Sequence, residues 1–217
     1  SVVLSEAVRL KGAKSDAYYD KALYFLAESL YQIGNDASAQ ESFRDLAQQR
    51  SSMYVGRAVR RLIDIAERRG QWDGIEQYIA MLQEMGSIPP LTAYYIAKNY
   101  VTRSKFEELD NILKLIPEEH EYYIRSRYVK AIAHVKQGHF PEAVEIFAEL
   151  SEIEGDTDDV ERIRELSIMN RARILVEEGK LPESMDVYQN IARSSPLFDD
   201  ALYEITWSYV READKTD

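Results

Sequence analysis

The histidines are the first residues of this sequence to examine for metal or acid–base chemistry. The chain has three of them, His120, His134 and His139. His134 and His139 lie five residues apart across a glycine, so their imidazoles do not share the single helix face that a two-histidine metal motif requires. We therefore predict no metal site, and we expect His134 to be a packed structural histidine.

Acidic side chains are the second candidate for catalysis, because two facing carboxylates can act as general acid and base. They occur here as adjacent pairs, such as Glu107 with Glu108 and Asp158 with Asp159. Adjacent residues on a helix point about 100° apart and do not face each other. The sequence also has no glycine-rich phosphate loop, nucleophile elbow or paired-histidine zinc motif. We expect no enzymatic activity, no catalytic residue and no cofactor.

Composition and charge restrict the class of partner. The 217 residues carry 27 Lys and Arg against 38 Asp and Glu, a formal net charge of −11. An acidic chain repels nucleic acid and anionic membrane surfaces at long range. No stretch reaches the roughly 18 apolar residues that a membrane span needs. We therefore predict a protein or peptide partner, no nucleic acid and no direct membrane insertion.

A turn residue recurs at nearly constant intervals along the chain. The turn residues are Gly34, Gly70, Ser104, Gly138, Gly179 and Ala213. The intervals between them are 36, 34, 34, 41 and 34 residues. Positions seven before, five after and nine after each turn are mostly small, aliphatic or aromatic, as Ala131, Ala143 and Phe147 are around Gly138. This regular spacing of turn residues and apolar positions predicts a series of helical hairpins, each with a first helix, a turn and a second helix.

The hairpin pattern resembles the tetratricopeptide repeat, a helix–turn–helix unit of 34 residues. The turn sequences KQGHFPEA (136–143) and EEGKLPES (177–184) carry the resemblance, with Pro141 and Pro182 at the predicted start of second helices. The resemblance implies an all-α fold, an α-solenoid or superhelix of stacked hairpins over residues 15–217. The predicted segments are repeats near 20–53, 56–89, 90–120, 124–157 and 165–198, a terminal helix at 199–213, and an N-terminal helix at 1–14 that we interpret as the second half of a truncated repeat.

In this family the first helices line a concave surface that binds ligands. The family's contact positions, carried onto this sequence, hold more basic than acidic residues. The candidate partner-binding residues are Tyr24, Tyr31, Arg57, Arg60, Tyr94, Lys98, Arg125, Tyr128, Lys136, Arg173, Tyr203 and Trp207. Arg and Tyr are residue types that concentrate binding energy at interfaces. The resemblance thus implies a non-enzymatic scaffold or adaptor that binds an acidic peptide or protein segment. The alternative is ordinary solvated helix faces with Arg–Glu pairs.

The 41-residue interval is seven residues longer than a standard repeat. The additional residues fall in the acidic stretch SEIEGDTDDVER (151–162). We expect a solvated linker or an extended helix end there, with a contact loop or cation site as the alternative. The stretch lacks the glycine position and the distal glutamate of a calcium-binding loop.

The predicted terminal helix is apolar on two sides. Leu202, Ile205 and Tyr209 lie on one face, and Tyr203 and Trp207 lie on another. A helix that ends a repeat array needs a polar outer face. This pattern therefore predicts further repeats beyond residue 217 or a self-association surface, which makes a structural oligomerisation module the second functional hypothesis. The third, an RNA-binding helical-repeat protein, is disfavoured by the acidic charge and by the lack of a repeated base-reading position.

A looser resemblance concerns the compartment. The hairpin sequence SDAYYDKALYFLAESLYQIGN (15–35) is similar to those of bacterial cell-envelope repeat adaptors. It implies a periplasmic or cell-envelope complex, with the cytoplasm as the alternative. The absence of cysteine does not distinguish these compartments.

Overall fold

The computed structural model describes the backbone of residues 17–155 and 157–216 and the side chains of residues 19–155 and 157–210. Within these ranges the chain forms eleven α-helices and no strand. The prediction of an all-helical chain is therefore confirmed for this part of the sequence. The N-terminal helix predicted at residues 1–14 lies outside the described residues.

The eleven helices are joined by short turns and loops. They are α1 (Ala17–Gln32), α2 (Asp36–Gln48), α3 (Val55–Arg69), α4 (Glu76–Glu84), α5 (Pro90–Thr102), α6 (Leu109–Leu113), α7 (Tyr123–Gln137), α8 (Phe140–Ser151), α9 (Asp158–Glu177), α10 (Leu181–Tyr188) and α11 (Phe198–Thr216). The odd-numbered helices are the first helices of the predicted hairpins, and the even-numbered helices are the second. None of the described helices combines the length and apolar character needed to span a bilayer.

The predicted turn residues have left-handed backbone conformations in five of the six cases. Their φ angles are 79° at Gly34, 63° at Gly70, 58° at Ser104, 76° at Gly138 and 77° at Gly179. This conformation lets the turn end a first helix, as where His139 N–H donates to the His134 carbonyl over 2.9 Å. The sixth case differs, because α11 continues past Ala213 to Thr216. Alanine is the strongest helix former and does not favour the left-handed region.

The described chain divides into two compact units, with the boundary between Asn99 and Tyr100, inside α5. In the first unit, α1 packs on α2, α2 on α3 and α3 on α4. Residues at the repeat's small and aromatic positions, including Ala27, Ala39 and Phe43, are fully buried there. In the first unit, consecutive helices therefore pack on each other through the apolar positions that recur at fixed distances from each turn residue.

In the second unit, α7 packs on both α8 and α9, and α9, α10 and α11 pack in sequence. One apolar cluster joins α7, α8 and α9 around Ala131, Ala143 and Phe147. A second cluster joins α9, α10 and α11. The small residues Ala172 of α9 and Ser184 of α10 let these two helices approach closely, and the Ser184 hydroxyl donates to the Ala172 carbonyl over 3.0 Å. This hydrogen bond permits a polar residue at a fully buried contact.

The acidic insertion lies partly in a loop and partly in a helix. Thr157 caps the N-terminus of α9, and its hydroxyl accepts from the Val160 N–H over 3.3 Å. Because α9 begins at Asp158 and has 20 residues, the end of the insertion lengthens a first helix. This arrangement agrees with the expected extended helix end. Asp156 lies outside the described residues.

The left-handed conformation of Ser104 generates a stability prediction. Its φ of 58° is the one positive φ of a non-glycine residue in the described chain. Replacing Ser104 with Gly removes the steric cost of that conformation, which stabilises the fold by about 1–2 kcal/mol. It also raises the conformational entropy of the unfolded chain, which lowers the stability by about 0.4–1 kcal/mol. We expect Ser104→Gly to raise the free energy of unfolding by about 0.5–1 kcal/mol, measured by urea denaturation.

The matched control is the reverse change at the equivalent turn. A Cβ at Gly138 would meet no atom within 4 Å, so Gly138→Ser changes the backbone cost with little packing effect. We expect it to lower the free energy of unfolding by about 1 kcal/mol. If both substitutions changed the free energy of unfolding in the same direction, the role assigned to this turn position would be contradicted.

Candidate protein-binding site

Three of the candidate binding residues border one cavity in the first unit. The cavity has a volume of about 330 Å³. It is lined by Tyr24, Arg57, Arg60, Arg61, Asp64, Pro89, Leu91 and Thr92. Helix α3 supplies its charged side chains, α1 supplies a tyrosine, and the start of α5 supplies the remaining wall. The cavity therefore combines a cationic side with an apolar one.

Tyr24 forms a wall of this cavity and is a core residue rather than an exposed contact. Its side chain is 9% exposed, and its ring stacks on that of Tyr54 with centroids 4.8 Å apart. Burial raises the pKa of the Tyr24 phenol, and the nearby Glu28 carboxylate adds to this, whereas Arg61, Arg57 and Arg60 act in the opposite direction. The phenol thus lies within the field of all three arginines.

Arg57 and Arg60 are the cations of the cavity that the fold leaves without a carboxylate. Arg57 is exposed and Arg60 is half-buried. The Arg60 Nε donates to the Gly56 carbonyl over 3.1 Å, which orients the guanidinium without neutralising it. Neither side chain forms an ion pair with a residue in the described ranges. Their remaining N–H groups are available to an anionic ligand.

Arg61, between the cavity and α1, was not predicted from the sequence. Its Nε and one terminal nitrogen donate to the two Glu28 oxygens over 2.9 and 2.7 Å, and the other terminal nitrogen donates to Asp64 over 3.0 Å. Such a bidentate pair uses the planar fork of arginine fully. Arg61 therefore joins α1 to α3 and has little capacity left for a ligand.

The two carboxylates around Arg61 have pKa values shifted in opposite directions. Burial opposes ionisation of Glu28, but hydrogen bonds from Arg61, Gln32 and Tyr24 outweigh it and lower the Glu28 pKa. Burial raises the pKa of Asp64, and the hydrogen bond and charge of Arg61 compensate only in part. Arg61 thus keeps Glu28 ionised against the effect of burial.

Tyr31 is covered by two arginines. The guanidinium carbons of Arg61 and Arg68 lie 4.5 and 4.2 Å from its ring centroid. Arg68 also pairs with Asp36 over 2.8 Å, which links α3 to α2. The predicted contact residue Tyr31 therefore takes part in cation–π packing between helices.

Tyr94 and Lys98 lie together on α5. The Lys98 ammonium is 5.6 Å from the Tyr94 ring centroid and forms an ion pair with Glu67 of α3. Both side chains are half-buried. The positive charge that the sequence offers at Lys98 is thus already opposed by a carboxylate.

In the second unit, three further candidates contact their own neighbours. Arg125 pairs with Asp159, and the Tyr128 hydroxyl accepts from the Asn170 amide over 2.9 Å. The Lys136 ammonium donates to the Val101 carbonyl over 3.2 Å. These contacts stabilise the packing of α5, α7 and α9 inside the unit.

The last three candidates, Arg173, Tyr203 and Trp207, line a second cavity of about 320 Å³. The Arg173 Nε donates to Glu204 over 2.9 Å, and the Tyr188 hydroxyl donates to the same carboxylate over 2.6 Å. Burial and this neighbouring carboxylate raise the pKa of Tyr188. Tyr203 and Trp207 are exposed and provide the apolar part of this surface.

Two of the ion pairs between successive first helices follow one register. Glu28 lies six residues before the turn of its repeat, and Arg61 lies nine residues before the turn of the next. Arg173 and Glu204 occupy the same two positions with the charges exchanged. Opposite charges at these two positions in successive repeats are a sequence signal that finds both pairs.

No cluster of three or more His, Asp or Glu residues that could hold a metal ion occurs in the described parts of the chain. His134 and His139 have ring centroids 5.9 Å apart. His134 is half-buried, and burial, followed by the charge of Lys130, lowers its pKa. The imidazole is therefore a packed neutral group next to α8.

The Arg61 contacts generate a second prediction. Arg61→Gln leaves Glu28 and Asp64 without their shared cation. We expect the free energy of unfolding at pH 7 to fall by about 1–3 kcal/mol, less than for a fully buried pair because all three groups retain contact with water. The control is Arg69→Gln on the same helix, since Arg69 is exposed and reaches only Gln40, over 3.3 Å.

The pH dependence of this loss is a further measurement. A carboxylate with a lowered pKa, such as Glu28, contributes stability above its ordinary pKa and loses it as the pH falls through the folded value. Without Arg61, burial raises the pKa of both carboxyls, so the folded variant takes up protons first. The difference between wild type and Arg61→Gln should therefore shrink between pH 7 and pH 4. A constant difference would contradict the assigned role of Arg61.

Comparison with known proteins assigns no family to the chain. No protein-family model matches the sequence, and no curated protein matches it. The functional interpretation therefore rests on the geometry of the two units and on the spacing of the turn residues.

Proposed function

We propose that this chain is a non-enzymatic scaffold of stacked tetratricopeptide-like hairpins, an α-solenoid that binds an acidic protein segment. Its primary contact is the cavity of the first unit, where Arg57 and Arg60 receive a carboxylate of the partner. The observation that carries this proposal is that these two arginines have no carboxylate partner in the described chain, while neighbouring Arg61 has two.

The walls of the cavity favour a peptide side chain over a free inorganic anion. Tyr24, Pro89 and Leu91 provide apolar surface next to the two guanidinium groups. A Glu or Asp side chain enters such a site with its methylene groups against the apolar wall and its oxygens on the arginines. Charge-assisted hydrogen bonds of this kind are about twice as strong as neutral ones. The proposed ligand is therefore an acidic peptide with an apolar or aromatic neighbour.

The test uses an array of peptides that place Glu or Asp next to Tyr, Leu or Pro, together with versions in which Lys replaces the acids. We expect the full chain to bind acidic members preferentially. For the tightest peptide, measured by fluorescence anisotropy, Arg57→Glu with Arg60→Glu should weaken binding at least about 10-fold, since each charge-assisted hydrogen bond is worth about 1.5–3 kcal/mol.

The control is the double variant Arg44→Glu with Arg50→Glu. It changes the net charge of the first unit equally, and both residues are exposed and do not line the cavity. We expect it to change affinity less than about 3-fold at 0.15 M salt, because charges beyond a Debye length of about 8 Å are screened. Equal losses in the two double variants, or equal binding of Lys-substituted peptides, would overturn the cavity as the contact.

A further inference from the structure

Helix α11 has a buried face that mixes apolar and polar residues and an exposed face that is mainly apolar. On the buried face, Ala201 is 2% exposed, Ser208 is 3% exposed, and Ile205 packs against the cluster of α9 and α10. On the other face, Leu202, Tyr203, Trp207, Tyr209 and Val210 are between 44% and 70% exposed. At 100° per residue these five side chains and Thr206 form a continuous arc of about half the helix.

One edge of this arc, formed by Leu202, Thr206 and Tyr209, is buried at the equivalent positions of the preceding first helix. Ile168, Ala172 and Leu175 of α9 hold the same positions relative to their turn as Leu202, Thr206 and Tyr209 of α11. The three α9 residues are no more than 9% exposed. In α3 the corresponding residues Val59, Ile63 and Ala66 are fully buried. This edge of the arc thus repeats an interface that the chain makes elsewhere.

In α9 this edge is covered by the amphipathic second helix α10. α10 and the turn after it cover α9: Ser184, Val187 and Tyr188 lie in the helix, and Ile191 lies just beyond its end. The spacing of these residues is i, i+3, i+4 and i+7, one face of a helix.

The α8 helix presents the same pattern to its neighbours. Its residues Ala143, Ile146, Phe147 and Leu150 lie in one cluster with Ala131 of α7. In the α7–α8 and α9–α10 hairpins, the second-helix face therefore carries, in order, a small residue, an aliphatic one, an aromatic one and an aliphatic one.

The centre of the exposed arc suits such a helix. Thr206 is the smallest residue in it, and its hydroxyl donates to the Leu202 carbonyl over 2.8 Å. That hydrogen bond leaves no unsatisfied donor when the site is covered. The bulky Leu202 and Tyr209 flank Thr206 one turn away on either side, so the smallest residue of the arc lies between two larger ones.

We propose that this face of α11 is a docking surface for an amphipathic helix with a small, aliphatic, aromatic and aliphatic residue at i, i+3, i+4 and i+7. The small residue packs on Thr206, and the aromatic ring packs between Leu202 and Tyr209. This mode is helix-in-groove recognition. The surface lies in the second unit and does not depend on the arginine cavity of the first.

The experiment uses the full chain and a helical probe taken from its own sequence. The probe is the peptide of residues 139–151, held helical by a lactam bridge between Glu145 and a lysine introduced by Glu149→Lys. Both bridge positions lie on the exposed side of α8. The control peptide exchanges Ala143 and Phe147, so its composition and helicity match those of the probe while its small and aromatic positions are reversed.

We expect saturable binding of the probe, with a blue shift of Trp207 emission as its indole, now 55% exposed, becomes covered. The exchanged peptide should bind at least 10-fold more weakly. Thr206→Arg should weaken probe binding by a similar factor, because a long side chain then replaces the smallest residue of the arc. Ala192→Arg, at an exposed site of the same unit, should leave binding unchanged.

Four results would overturn the proposal, and the first three concern the peptides. They are the absence of saturable binding of the bridged probe, equal affinity for the two peptides, and unchanged binding by Thr206→Arg. A fourth is a dimer in light scattering that Thr206→Arg dissociates and the probe does not displace, since the occupant would then be a second copy of the chain. Circular dichroism of each variant checks that the helices are retained.

Discussion

The close approach of paired helices at small residues is the constraint on which the rest of the structure depends. Ala131 and Ala143 are fully buried in one cluster, and Ser184 reaches the Ala172 backbone directly. A larger side chain at any of these points would separate the helices and lose contacts along their whole length. Because the approach recurs with the repeat, it brings corresponding positions of neighbouring first helices within reach of one another. The inter-repeat ion pairs follow from this spacing.

Much of the fold was predictable because the turn and the close approach both need particular residue types. The phase of the turn residues located five left-handed positions, and it did so even at Ser104, where no glycine marks the site. It failed at Ala213, where local helix propensity prevails. It also gave no helix lengths, and α6 has only five residues. Pro117 disfavours helix at the preceding residue and limits how far that segment can continue.

The candidate site was less predictable because a charge's availability depends on neighbours one repeat away. Residue types indicated a basic surface, yet Lys98, Arg125 and Arg173 each face a carboxylate. Composition assigns a charge to every side chain, but only the register between helices decides which charges oppose each other. The pairing rule emerges when the first helices are aligned by their turns, and it joins a contact position of the family, held by Arg173, to a position nine residues before the turn that is not a contact position.

That rule gives the unpaired arginines their significance. The chain has an excess of carboxylates, so an arginine without one is not explained by shortage. Arg57 and Arg60 lie close to Arg61, and like charges in one site raise the free energy of the empty cavity. Pairing either residue within the fold would relieve that repulsion and gain stability. Because both arginines are unpaired, the carboxylate of a partner can relieve the repulsion among them when it binds. The electrostatic cost of the empty cavity therefore increases the affinity for an acidic partner.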